Sequence, residues 1–116
     1  MDNQEERRRR HVRHPAVHAE AIVGGRAYSI RDWSMGGVFF DTAPDARLIA
    51  GDTVQVTLRF RFPHDTISVQ QQALVIRTAK RGIAAEFGPL VATTRRQMER
   101  VLDSLYAQSF LESQSA

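Results

Sequence analysis

Hydrophobic and polar residues alternate along much of the chain, which is the pattern of β-strands with one buried face. The clearest case is residues 53–62, where Val54, Val56, Leu58 and Phe60 alternate with polar side chains. Similar patterns predict strands over residues 17–32, 38–42, 67–78 and 83–87. A pair of glycines at 24 and 25 divides the first range as a two-residue hairpin turn.

Six or so antiparallel strands joined by tight turns predict a small β-barrel, which leaves no exposed sheet edge. The inward face of the strand over residues 67–78 changes near Gln71 and Gln72, which predicts a bulge there. Nothing in the order of elements indicates a parallel sheet with crossover helices. The predicted fold class is therefore mainly β, a six-stranded antiparallel barrel.

Near the carboxyl terminus the period changes from two residues to that of an amphipathic helix. The apolar positions are Met98, Val101, Leu102, Leu105 and Tyr106. Thr94 and Gln97 have capping-box spacing ahead of this stripe, so the predicted helix covers about residues 94–111. It is expected to lie across an open end or face of the barrel; alternatively, the stripe with Phe110 serves a partner or a dimer contact.

The amino-terminal segment has no apolar period and is rich in arginine. Residues 7–13 carry five positive charges that repel each other, and Pro15 disfavours helix at His14. Residues 1–15 are therefore predicted to form a flexible arm, followed by the barrel and helix over residues 16–112. His11, His14 and His18 are not favoured as a metal site, because this irregular segment supplies no carboxylate partner.

The composition fits one cytoplasmic domain. The chain has 116 residues, no cysteine and a net charge of +3, and no apolar run approaches the length of a membrane span. The absence of cysteine fits a reducing compartment. Of the 16 basic residues, all but Lys80 are arginine, whose planar fork suits phosphates and base edges.

The turn over residues 31–40 is the favoured candidate for the functional site, because it joins two apolar strands through polar and small residues. Asp32 and Ser34 are turn formers whose side chains bond nearby backbone or project outward. Gly36 and Gly37 permit positive φ and close approach by another molecule.

Two motifs resemble the paired signature of PilZ domains, receptors for the bacterial messenger cyclic di-GMP. Arg9 and Arg13 fit Arg-x-x-x-Arg, and the segment running from Asp32 through Ser34 to Gly37 fits Asp/Asn-x-Ser-x-x-Gly. The first motif is common in an arginine-rich chain, whereas chance predicts only about 0.02 occurrences of the second. The resemblance runs over nearly the whole chain and implies a six-stranded antiparallel barrel with an arginine arm that wraps the nucleotide.

The resemblance also implies the ligand and the residues that hold it. Arginine forks bond the N7 and O6 edge of guanine or a phosphate, while the Asp32 carboxylate accepts from the opposite N–H edge. No cofactor or metal is expected besides the ligand cyclic di-GMP, and the signal would pass to an unidentified partner protein. The expected ligand-binding residues are Arg8, Arg9, Arg10, Arg13, Asp32, Ser34, Gly36 and Gly37.

Two other function classes are weighed against this interpretation. A basic-armed small barrel that binds nucleic acid is the alternative, but few aromatic residues fall on the polar strand faces to stack bases. A hydrolase that uses Ser34 is disfavoured, because the serine lacks a Gly-x-Ser-x-Gly elbow and no histidine is evidently paired with it. The chain is therefore not expected to be an enzyme.

Overall fold

The computed structural model describes residues 14–15, 18–42, 47–63 and 65–114, with side chains from residue 18 to residue 110 of these ranges. Seven strands precede one helix. In chain order they are β1 (His14–Pro15), β2 (Ala19–Val23), β3 (Arg26–Ser34), β4 (Gly37–Phe40), β5 (Thr53–Phe62), β6 (Asp65–Ala79), β7 (Gly82–Phe87) and α1 (Ala92–Gln114).

Six of these strands form a closed antiparallel barrel. The strand order is β3, β2, β5, β6, β7, β4, and a further pairing of β4 with β3 closes the circle. Closure pairs the edge strands that an open sheet would expose. The prediction of a mainly β, six-stranded antiparallel barrel with a carboxy-terminal helix is confirmed. The short strand β1 is not among the predicted strands, and it pairs antiparallel with the end of β3 at Asp32 and Trp33.

The first hairpin forms as its sequence predicts. Gly24 and Gly25 have φ of 60° and 78°, as a type I′ turn requires, and Val23 pairs with Arg26 on either side of them. Ala19 and Ala21 point into the barrel. Their small side chains leave room for the larger core residues of β5 and β6.

The strand β6 differs from its prediction in one respect. Burial alternates without a break from Ile67 to Val75, and Gln71 occupies one of the buried positions. The predicted bulge at Gln71 and Gln72 is therefore wrong, and the register shift lies between Val75 and Arg77. Gln71 is tolerated inside because its Nε2 donates to the carbonyl oxygens of Gln72 (3.2 Å) and Gly88 (3.4 Å).

The helix α1 begins at Ala92, so Thr94 lies within its first turn and is buried there instead of capping it. Met98 and Val101 are fully buried and belong to the same hydrophobic cluster as the barrel interior. The helix therefore packs against the barrel, chiefly on β6. Tyr106, further along the helix, remains exposed.

Candidate functional site

The polar motif predicted from sequence lies at the corner between β3 and β4. Ser34 ends β3, Gly37 begins β4, and these two residues pair across the turn. Ser34 is buried, and its Oγ accepts a hydrogen bond of 3.1 Å from the backbone N–H of Gly36. The hydroxyl thus fixes the turn and keeps its own proton available for another acceptor.

A bulge in β3 decides which way Asp32 faces. Tyr28 and Ile30 point into the barrel, yet the next buried residue is Trp33, an odd position in the alternation. The register between β3 and β4 shifts between Ile30 and Asp32, which leaves Arg31 as the extra residue. Without this bulge Asp32 would continue the inward series of Tyr28 and Ile30. The bulge therefore places the Asp32 carboxylate on the outer face, where it is half-buried.

A single acidic residue holds this bulge through one contact of its backbone and one of its side chain, which together we call the brace. Asp41 follows β4, and its backbone N–H donates to the carbonyl oxygen of Ser29 at 2.9 Å. Its carboxylate oxygen Oδ1 accepts a hydrogen bond from Nε of Arg31, the extra residue itself. Asp41 therefore ties the bulged residue to the strand beside it. These contacts of Asp41 were not predicted from the sequence. The sequence signal for the bulge is that the apolar residues Ile30 and Trp33 are three positions apart, whereas inward residues of a regular strand are separated by an even number.

The packing of the barrel explains why residue 37 is a glycine. A Cβ atom there would lie 2.5 Å from the backbone oxygen of Ala85 on β7, far inside contact distance. Among the described residues, the glycines with positive φ are Gly24, Gly25 and Gly51, so Gly36 and Gly37 do not use the positive φ that glycine permits. Close approach of β4 and β7 is what demands Gly37. Its predicted role beside a purine stays a prediction.

One aromatic side chain lies next to the motif on the outer face. Phe39 is opposite Asp32 in the β3–β4 register and is half-buried, while its neighbours Val38 and Phe40 point inward. The ring of Phe39 extends over Gly82, where an added Cβ would come within 2.9 Å of its Cζ. An apolar ring therefore flanks the polar corner, although sequence reasoning assigned most phenylalanines to the core.

The predicted arginine arm falls almost wholly outside the described residues. Arg8, Arg9, Arg10 and Arg13 are among the residues about which the structure says nothing. The description begins at β1, whose residue His14 pairs with Trp33 and whose residue Pro15 pairs with Asp32. The backbone that follows the first motif therefore lies against the strand that carries the second.

A groove of about 360 Å³ opens beside the bulged strand. Its polar lining comes from His18, Glu20, Ser29 and Arg61. The Glu20 carboxylate accepts from Nη2 of Arg61 at 2.7 Å and from Nη2 of Arg59 at 3.3 Å. Because its acid is already paired with two guanidinium groups, the groove offers no free carboxylate to a ligand.

The described ranges of the chain contain neither a metal-ion cluster nor a membrane-spanning helix. No group of three or more histidine, cysteine, aspartate or glutamate side chains in these ranges is arranged to hold a metal ion. No helix in the same ranges is long and apolar enough to cross a membrane.

Comparison with known proteins agrees with this architecture. The family model for the PilZ domain matches residues 5–104. The fold is similar to that of the Bacillus subtilis inhibitor of motility MotI/DgrA, with a TM-score of 0.69, 18% sequence identity and coverage of 87% of this chain. The match covers 51% of that protein, so the chain spans about half its length. No curated protein matches the sequence.

Proposed function

Because the chain belongs to the PilZ domain family, whose members are receptors for cyclic di-GMP and not enzymes, we propose that it binds this messenger at the β3–β4 corner. The ligand-binding residues in this proposal are Arg8, Arg9, Arg10, Arg13, Asp32, Ser34, Gly36 and Gly37. The observation that carries it is the bulge, which turns Asp32 outward beside Ser34 and beside the backbone that follows Arg13.

The chemistry of the corner suits a guanine nucleotide. A half-buried carboxylate at Asp32 accepts the N–H groups on one edge of guanine, and such charge-assisted bonds contribute about 1.5–3 kcal/mol each. The Ser34 hydroxyl, already accepting from Gly36, has a proton to donate to a base or phosphate oxygen. Arginine forks from the amino-terminal segment supply the complementary bonds to the N7 and O6 edge and to phosphate.

The signalling part of the proposal concerns the segment before β1. Arg9 and Arg13 fold over the corner when the ligand arrives, and this ordering changes the surface that a partner protein meets. Ordering each backbone residue costs about 1–2 kcal/mol, which limits the net affinity to about the micromolar range. Regulation of motility or of biofilm formation is the proposed output, in line with the inhibitor of motility that shares the fold. A cytoplasmic location stays a prediction.

Calorimetric titration with cyclic di-GMP tests the proposal. The wild-type chain should bind saturably, and Arg9→Ala, Arg13→Ala and Asp32→Ala should each weaken binding by roughly 10- to 150-fold. The stoichiometry of the same titration distinguishes one bound nucleotide from a stacked pair. A matched control is Arg100→Ala, which removes an exposed arginine of α1 that pairs with Asp65 at 2.6 Å.

Two results would overturn the proposal. One is the absence of saturable heat from the wild-type chain at low ionic strength. The other is a loss of affinity in Arg100→Ala equal to that in the three site variants, because general loss of positive charge or of folding would then explain all four.

A further inference from the structure

A second surface combines exposed aliphatic side chains with exposed basic ones. Leu74 and Ile76 lie on β6 and are 45% and 50% exposed. Ile49, which is 65% exposed, belongs to the turn before β5. Backbone hydrogen bonds of 2.8 Å join Gly51 and Asp52 of that turn to Val75, between the two exposed β6 residues. The three aliphatic residues therefore belong to adjoining segments.

Basic side chains follow directly along the same hairpin. Arg77 on β6 and Lys80 and Arg81 in the turn to β7 are all exposed. None of these three forms a salt bridge within the part of the chain that the structure describes, whereas Arg31, Arg59, Arg61 and Arg100 all do. We name Ile49, Leu74, Ile76, Arg77, Lys80 and Arg81 the β6 patch.

The β6 patch is close to the proposed nucleotide site but separate from it. Leu74 pairs with Glu86 on β7, and Glu86 pairs with Gly37 on β4. Two strand spacings, or about 10 Å, therefore separate the backbone of Leu74 from that of Gly37. From Leu74 to Lys80 the hairpin extends about 20 Å, which is enough to contact three to four turns of a helix.

We propose that the β6 patch binds an acidic segment of a partner protein, one that carries aliphatic side chains next to its carboxylates. Exposed aliphatic groups favour binding when the partner removes them from water, and the exposed cations of Arg77, Lys80 and Arg81 select a segment of opposite charge. This inference rests on the proposed function, since it names the class of partner through which the receptor acts.

Three other occupants fit the patch less well. A single-stranded nucleic acid stacks its bases on aromatic rings, and the exposed apolar residues here are aliphatic. A bilayer is entered by protruding side chains, while Leu74 lies within a sheet, between the neighbouring strand residues Thr53 and Glu86. A second copy of the chain related by a two-fold axis would bring the same basic residues together, and like charges repel.

Selection from a phage-displayed random peptide library on the immobilised full chain, without cyclic di-GMP, tests the inference. Enriched peptides should contain acidic residues beside leucine, isoleucine or valine, and synthetic copies should bind the chain saturably. Two variants remove the patch: Leu74→Ser with Ile76→Ser, and Arg77→Glu with Lys80→Glu and Arg81→Glu. The matched control changes exposed residues of α1 instead, as Arg95→Glu and Arg96→Glu with Tyr106→Ser.

The inference predicts that each patch variant weakens peptide binding at least tenfold while the control retains it. Enrichment of basic peptides, equal loss in the control, or unchanged binding by both patch variants would overturn it. Patch-dependent binding of a single-stranded oligonucleotide or of phosphatidylglycerol vesicles that is stronger than binding of the peptides would also overturn it. So would a homodimer, detected by sedimentation, that the patch variants convert to a monomer. Calorimetry of Leu74→Ser with Ile76→Ser, which leaves the charges near the corner unchanged, should give the wild-type affinity for cyclic di-GMP, so failure here is distinct from failure of the nucleotide site.

Discussion

The hairpin of β5 and β6 and the corner of β3 and β4 are built in opposite ways. β5 and β6 run through ten consecutive residue pairs in one register. β3 and β4 share four pairs and shift register once. Apart from Gln71, the buried positions of the hairpin are apolar, as at Leu58 and Val69, whereas the corner buries the hydroxyl of Ser34 next to Trp33 in the chain. Both regions therefore contribute to the core, and the irregular one also presents polar groups on its outer face.

This difference teaches that an irregular strand pair can contribute to the core, through Trp33 and Phe40, and still present polar side chains on its outer face. In a regular strand, successive side chains point to opposite faces of the sheet, so two neighbouring residues cannot both point outward. The bulge at Arg31 does so, and it turns both Arg31 and Asp32 outward. Substitution of a buried hairpin residue should therefore lower the free energy of unfolding, whereas substitution of an outward residue at the corner should mainly lower affinity for the ligand.

The largest effect is expected in the hairpin. Leu58→Ala removes a fully buried side chain and should lower the free energy of unfolding by about 2–5 kcal/mol. Urea denaturation measures this loss, and Gln70→Ala, at an exposed position of the same hairpin, is the control. If Leu58→Ala costs no more than Gln70→Ala, the hairpin is not the source of stability.

A smaller loss of stability is expected at the corner from Gly37→Ala. The added methyl group would meet the backbone oxygen of Ala85 at 2.5 Å, so β4 must move away from β7. Such overpacking costs about 1–3 kcal/mol. The control is Gly88→Ala, because nothing lies within 4 Å of the added atom there. Equal stability of the two variants in urea would show that β4 and β7 are less tightly fitted than the structure indicates.

The smallest effect on stability, with a clearer effect on binding, is expected at the brace. Asp41→Ala frees the bulged residue Arg31 and should cost at most about 1 kcal/mol of stability, as exposed salt bridges do. If the brace positions Asp32, affinity for cyclic di-GMP should fall about three- to tenfold.

Two further variants separate positioning from general electrostatics. The exchanged pair Arg31→Asp with Asp41→Arg should recover much of the lost affinity, because the contact is restored with the same net charge. Asp65→Ala breaks the comparably exposed pair with Arg100 and should leave binding unchanged. Equal affinities of Asp41→Ala and Asp65→Ala would show that the brace plays no part in presenting the site.

The regular parts of the fold were predictable from sequence, and the irregular parts were not. Alternation gave the bounds of β5 as residues 53–62, and the paired glycines gave the first hairpin. Alternation failed at Gln71, because a glutamine whose amide is bonded to backbone carbonyls can take an inward position. Alternation also did not locate the bulge at Arg31, because the contact that holds the bulged residue comes from Asp41, ten residues further along the chain.

The candidate site was predictable as a motif but not as a geometry. The spacing of Asp32, Ser34 and Gly37 identified the corner. The pairing of β1 with Asp32 and Trp33 brings the backbone that follows the arginine segment to that corner. It was not predictable, because a strand of two residues is too short to show an alternating pattern. The role of Gly37 in packing β4 against β7 likewise appears only once the barrel closes.

Hydrogen–deuterium exchange of the full chain, with and without saturating cyclic di-GMP, tests the central claim most directly. The account predicts slower exchange at two places, residues 31–37 and residues 7–13, and unchanged exchange along the β5–β6 hairpin. Unchanged exchange at residues 31–37 in a saturated complex, or protection confined to the hairpin, would contradict it.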